Sequence, residues 1–97
     1  MLANVKIASS PHSSVNVAAT GTLILAENKR RFFAVIQNVS DTNIWITFGS
    51  QGAVGDGLLI PANGFSYEID RLNLWQGEVY AIHAGVGNKA INLLDCQ

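Results

Sequence analysis

Charge is what this sequence has least of. Of 97 residues, 13% are Asp, Glu, Lys or Arg, about half the ~25% of an ordinary soluble domain. Six basic residues stand against seven acidic ones, for a net charge of −1. That balance excludes a basic nucleic-acid module, which would carry a clear Lys/Arg excess. It also excludes a disordered tail, which needs low hydrophobicity and a large net charge, whereas 48% of this chain is apolar. A small monomer keeps a charged surface to stay soluble. A chain so poor in charge is therefore expected to bury part of its surface in an assembly.

Cysteine is scarce as well. The single one, Cys96, has no partner for an internal disulfide, so the fold must hold without one. Uninterrupted apolar runs reach only five residues, at 32–36, far short of the ~20 that a membrane helix needs, and no membrane partner is expected. Residues 1–7 lack a charged region followed by a long apolar stretch, so no secretory signal is expected. Synthesis and folding are expected in a reducing host cytoplasm. Asn38-Val39-Ser40 matches a glycosylation acceptor only by letter. The length is that of one domain, large enough for a real but thin core.

What is present is β patterning almost throughout. Val5 and Ile7 alternate with Asn4 and Lys6, and Val15 and Val17 repeat the pattern after a Ser/Pro break. Residues 1–20 therefore read as a first strand or as an arm ahead of a sandwich at 21–97. Strands are expected over 22–26, 32–39, 44–48, 58–60, 65–69, 78–84 and 89–94. Residues 32–39 are apolar on both faces, as a central strand would be. Ile44, Ile46 and Phe48 face one side of their strand, and Trp45 and Thr47 the other. Phe65, Tyr67 and Ile69 alternate with Ser66, Glu68 and Asp70, with the apolar set inward. Turns are marked by Ser40 to Asn43 and by Pro61-Ala62-Asn63-Gly64, where Asn-Gly supplies positive φ cheaply. Residues 49–57 hold four glycines and read as a long mobile connection. No window shows a 3.6-residue period. The fold class is all-β: a single-domain antiparallel β-sandwich, jelly-roll-like or Ig-like, of about eight strands.

Residues that could carry chemistry do not converge. His12, His83 and Cys96 lack metal-ligand spacing, so no metal or cofactor is expected. His83 reads as a partly buried sheet histidine and His12 as solvated. No Gly-x-Ser-x-Gly elbow occurs. Glu68 and Asp70 share a strand face that points to solvent, unlike the paired carboxylates of a glycosidase. The glycine loop lacks the Gly-Lys-Ser/Thr of a phosphate cradle. An enzyme is not expected.

Several residues suit contact with a partner. Lys29-Arg30-Arg31 holds half the positive charge and reads either as a solvated turn or as a contact to an acidic surface. Trp45 and Trp75 read as core plugs, as interface anchors or as sugar-stacking platforms. Gly52 and Val54 lie in the long loop, and loops of that length are often functional. The candidate interface is therefore Lys29, Arg30, Arg31, Trp45, Gly52, Val54 and Trp75.

The run Arg31-Phe32-Phe33-Ala34-Val35-Ile36-Gln37-Asn38-Val39-Ser40-Asp41, followed by Asn43-Ile44-Trp45-Ile46-Thr47-Phe48-Gly49, resembles small β-sandwich proteins of tailed bacteriophage virions. There the motif is a strand ending in Gln-Asn-x-Ser, a tight turn, and a strand ending in Phe-Gly. Gly57 to Gly64 and Trp75-Gln76-Gly77-Glu78-Val79-Tyr80-Ala81-Ile82 fit the same pattern. The likeness covers about residues 20–94. It implies a non-enzymatic virion structural protein of the head decoration or cement type. Its partners would be the major capsid protein and copies of itself, as a homotrimer. It brings no catalytic residues. The alternatives are a tail, neck or fibre accessory module, or a carbohydrate-binding β-sandwich.

Overall fold

The computed structural model describes residues 12–97. The expected strand around Val5 and Ile7 lies outside them. Eight strands occur among the described residues, and no helix: β1 His12–Val17, β2 Thr22–Leu25, β3 Phe33–Asn38, β4 Ile44–Phe48, β5 Leu58–Ile60, β6 Ser66–Ile69, β7 Val79–His83 and β8 Lys89–Cys96. Two antiparallel four-stranded sheets form. We call the one ordered β1-β8-β3-β6 sheet A, and the one ordered β2-β7-β4-β5 sheet B.

The pairing has a simple logic. β1 pairs with β8, β2 with β7, β3 with β6 and β4 with β5. The chain is thus one long hairpin folded at residues 49–57. Rolling that hairpin up brings β8 against β3 and β7 against β4, and successive strands fall on alternate sheets except at the fold of the hairpin, where β4 and β5 pair within sheet B. This is the jelly-roll order, which resolves the choice left open against an Ig-like arrangement. β1 is a strand of sheet A.

Alternation builds the core. Ala34 and Ile36 of β3, Ile44 and Ile46 of β4, Val79 and Ala81 of β7 and Ile91 and Leu93 of β8 point inward and are buried. Val17, Ile24, Leu25, Ile60 and Ile69 complete the layer. Isoleucine dominates because a β-branched side chain fits the pleat between two sheets, and each buried one contributes about 2–3 kcal/mol of transfer free energy.

Phe65 departs from expectation. It is 61% exposed, and β6 begins one residue later. Its carbonyl accepts the Asn38 N–H at 2.8 Å, but the interior opposite is already closed by the Asn38 side chain. That amide donates to the Thr42 and Ile60 carbonyls at 2.8 and 2.9 Å. Its oxygen accepts the Ser40 N–H at 3.0 Å and the Ser40 hydroxyl at 2.6 Å. Asn38 is fully buried with its hydrogen-bonding capacity met. It joins the turn between β3 and β4 to the end of β5.

Candidate partner-binding surface

The basic run divides. Lys29 and Arg30 are exposed, on a turn held by hydrogen bonds from the Asn28 N–H to the Gln76 carbonyl, 2.7 Å, and from Gln76 Nε2 to the Lys29 carbonyl, 3.0 Å. Arg31 is not available to a partner, and here the sequence reading is corrected: it is 1% exposed. Its Nε and Nη2 donate to the two Asp95 carboxylate oxygens at 2.8 and 3.0 Å. Nη2 also donates to the Ala26 carbonyl at 2.9 Å, and Nη1 to those of Trp75 and Gly77 at 3.1 and 3.2 Å. All five guanidinium donors are used. The acceptor that makes this possible, Asp95, was not singled out by sequence reasoning. Its only signal is parity: it follows Ile91 and Leu93 on the inward side of β8.

Trp75 is both a plug and partly open. Its Nε1 donates to the Glu78 carbonyl at 3.0 Å, and its ring meets Phe48 edge-on at 5.9 Å. Phe48 in turn lies 6.0 Å from Tyr67. The indole covers Gly77, where an added Cβ would come within 2.7 Å of it. It remains 37% exposed. Arg31 and Trp75 are thus neighbours, joined through the Trp75 carbonyl.

Trp45 lies elsewhere, on the outer face of sheet B, half-buried. In register across three strands run Ile82, Trp45 and Leu59, and beside them Leu23, Tyr80 and Thr47. No charged side chain belongs to these two rows. Leu23 and Leu59 are exposed, as is Leu58 on the same edge strand. The loop 49–57 folds onto this face: Gly52 and Gly57 pack against the Thr47 methyl. It is held there by Thr47 Oγ1 donating to the Ser50 carbonyl at 2.7 Å and Gln51 Nε2 to Gly21 O at 3.3 Å, while the Ala53 N–H donates to Asp56 Oδ2 at 2.9 Å within the loop. Gly52 is therefore a packing position, while Val54 is exposed.

The groups that chemistry would draw on serve the fold. His83 is fully buried; its Nδ1 accepts the Gly85 N–H at 3.0 Å, and its Nε2 lies 2.7 Å from the Gly87 carbonyl, which fixes the proton on Nε2. Asp70 Oδ1 accepts the Leu72 and Asn73 N–H groups. Burial, and secondarily the Asp95 charge, push the Cys96 thiol up from its ordinary value. Among the described residues no three His, Cys, Asp or Glu side chains converge as a metal site. The structure does not gather the seven predicted interface residues into one site. Lys29, Arg30 and Trp75 lie around one end of the sandwich, and Trp45 lies on a sheet face with the loop carrying Val54.

Comparisons of the chain with protein-family models, curated proteins and solved structures return no match.

Proposed function

We propose that this protein is a non-enzymatic virion structural protein of the tailed-phage type, which binds the outer capsid surface and stabilises the shell. The observation that carries this reading is the outer face of sheet B. The exposed Leu23 and Leu59 flank the half-buried Trp45 and Tyr80 over the buried Ile82, an apolar face bordered by Glu78, whose carboxylate accepts the Tyr80 hydroxyl at 3.1 Å, on a sheet whose edge strand β5 carries no charge. Natural proteins usually blunt such edges with charges, and large exposed apolar faces mark interaction sites. The sequence resemblance and the jelly-roll order, which recurs in viral capsid domains, support the same reading.

The mechanism is bridging. Covering even a few hundred Å² of this face contributes several kcal/mol per contact at ~25 cal/mol per Å². Repeated over symmetric copies, such contacts oppose separation of the subunits beneath. The partners are the major capsid protein and further copies of this chain in a homotrimer, with Lys29 and Arg30 as free cations for an acidic surface.

Electron cryo-microscopy of the intact particle tests the reading directly. Many copies on the shell, contacting it through the Trp45 and Leu59 face, is the expected result. A few copies at one vertex would instead make the protein a tail, neck or fibre module. Sedimentation with purified shells gives a second readout: L59E is expected to fold normally yet lose shell binding at least tenfold. Undiminished binding by L59E would remove the face from the contact.

A further inference from the structure

The turn after β6 carries a leucine out into solvent. Leu72 is 97% exposed, yet the turn is tightly held. Asp70 Oδ1 accepts the Leu72 and Asn73 N–H groups at 2.8 and 3.3 Å, and Asn73 Oδ1 accepts the Asp70 N–H at 2.7 Å. Asn73 Nδ2 donates to the Tyr67 hydroxyl and to the Glu68 carbonyl, both at 2.9 Å. Leu72 is thus presented on a fixed backbone, so covering it costs little further ordering of the chain.

A hollow of about 490 Å³ opens beside it, lined by Phe32, Phe33, Asp70, Arg71 and Leu72. Ala34 and Ile36 point into the core, so Phe33 leaves β3 on the outer side of sheet A and stands half-buried. The volume lies in the ~300–1,000 Å³ range of sites that receive apolar groups. One surface therefore holds both a projecting apolar side chain and a recess for one. Its charges match in the same way: Asp70 and Arg71 are adjacent and opposite in sign, and neither forms an ion pair among the described residues. The turn engages Oδ1 of Asp70 and leaves Oδ2 for another partner.

A two-fold axis reverses the direction of a segment in its mate. Asp70 of one copy then meets Arg71 of the other, and each Leu72 enters the opposite recess. An isologous contact requires a patch that complements itself, and this patch does so in shape and in charge. A partner surface of one sign would attract one of the two charges and repel the other. A net charge of −1 puts little repulsion between copies.

We propose that two copies of this chain pair about a two-fold axis at this hollow, with Leu72 of each seated against Phe32 and Phe33 of the other and with reciprocal Asp70–Arg71 ion pairs. Five lining residues a side are far fewer than the ~20–30 of a standard interface, so the pairing is weak and reversible. It needs no shell. A two-fold contact cannot close a trimer; it joins two chains or two trimers, and it leaves the outer face of sheet B free.

Sedimentation equilibrium of the full chain from about 10 μM to about 1 mM, with amide spectra over the same range, tests this. The expected result is a doubling of mass, from one chain to two or from three to six. The Phe32, Phe33, Arg71 and Leu72 amides should shift as the mass doubles, while Val86, in the turn between β7 and β8 at the opposite end of the sandwich, stays in place. L72E and R71E, both at exposed positions, are expected to keep the strand amides intact and to weaken the doubling at least about tenfold. A mass constant at one chain or at three would overturn the pairing, and the second of these would leave the shell reading standing. A doubling that does not move those amides, or that L72E leaves undiminished, would overturn it as well. So would shifts of the same amides on adding purified shells without any doubling, since the hollow would then belong to the capsid protein.

Discussion

Arg31 and Asp95 lie 64 residues apart in sequence and meet through two parallel hydrogen bonds of 2.8 and 3.0 Å. The arginine side chain is wholly buried, while the carboxylate keeps a quarter of its surface in solvent. Together with the carbonyls of Ala26, Trp75 and Gly77, the pair fastens the end of β2, the segment before β7 and the end of β8 at one point. The net value of a buried pair is modest, but breaking one partner is costly because the other is stranded.

R31M strands Asp95 and three carbonyls, and is expected to lower the unfolding free energy by about 3 kcal/mol, read from urea denaturation. R31K should recover less than half of this, since one ammonium cannot span acceptors on three segments. A loss below ~0.5 kcal/mol in R31M, the range of an ordinary surface substitution, would contradict the clamp.

N38A leaves the Thr42 and Ile60 carbonyls without their side-chain donor in a closed interior. The expected loss is about 2–4 kcal/mol. S40A removes only a hydroxyl from the same network and should cost about 1 kcal/mol. If the two variants unfold at the same urea concentration, Asn38 is not the centre of the turn.

Gly55 and Gly57 separate two effects of glycine. Both have positive φ, but a Cβ on Gly55 meets nothing, whereas one on Gly57 would fall 2.0 Å from the Ile46 carbonyl oxygen. G55A should cost only the left-handed conformational penalty, about 1–2 kcal/mol. G57A must also push β5 off β4. Amide exchange at Leu58 and Leu59 is expected to speed up in G57A alone.

Asp41 sits below its ordinary value of 3.8, chiefly because the Lys89 ammonium donates to it at 2.9 Å and then because of the Thr42 hydroxyl. A lowered value means that the folded chain binds fewer protons than the unfolded chain in the acid range. This contribution is complete well above pH 3.8 and is lost as pH falls below it. The gap in Tm between the native protein and D41N should therefore close on acidification. It should also narrow in high salt, since the pair is exposed.

Cys96 is buried and its thiol is held above its ordinary value by desolvation and the adjacent Asp95. Thiolate is the reacting form. Alkylation by iodoacetamide at mildly alkaline pH should run at least about tenfold slower in the folded chain than in urea. Equal rates would place the thiol at the surface.

Most strands were legible because alternation and turn residues agree. Leu58 to Ile60, closed by Pro61, is the clearest case, and Asn63 and Gly64 do adopt the positive φ that the turn needed. Parity failed where a long-range polar contact overrode it. Arg31 reads as one of three surface cations until Asp95 is placed beside it, and no local pattern links positions so distant. Asn38 reads as the polar end of a strand, and only the return of β5 shows that it is buried. Parity alone sets Trp45 apart from Ile44 and Ile46, but its neighbours Ile82 and Leu59 come from two other strands. A surface assembled from such pairings is not written in any single segment.

The nested hairpin has a kinetic consequence. Ile46 and Leu58 are twelve residues apart where β4 meets β5, whereas His12 and Leu94 are separated by eighty-two where β1 meets β8. Loop-closure entropy rises with each outer pairing, unless the inner ones have already shortened the path. Zipping outward from the glycine loop is therefore the cheapest route, and a topology this non-local belongs with domains that fold in milliseconds to seconds. Until the outermost pair closes, β8 and β3 offer open edges to any passing strand. A nascent chain of this kind is most exposed to its own copies late in folding, and dilution or rapid assembly onto a template would then raise the yield of native protein more than added stability would.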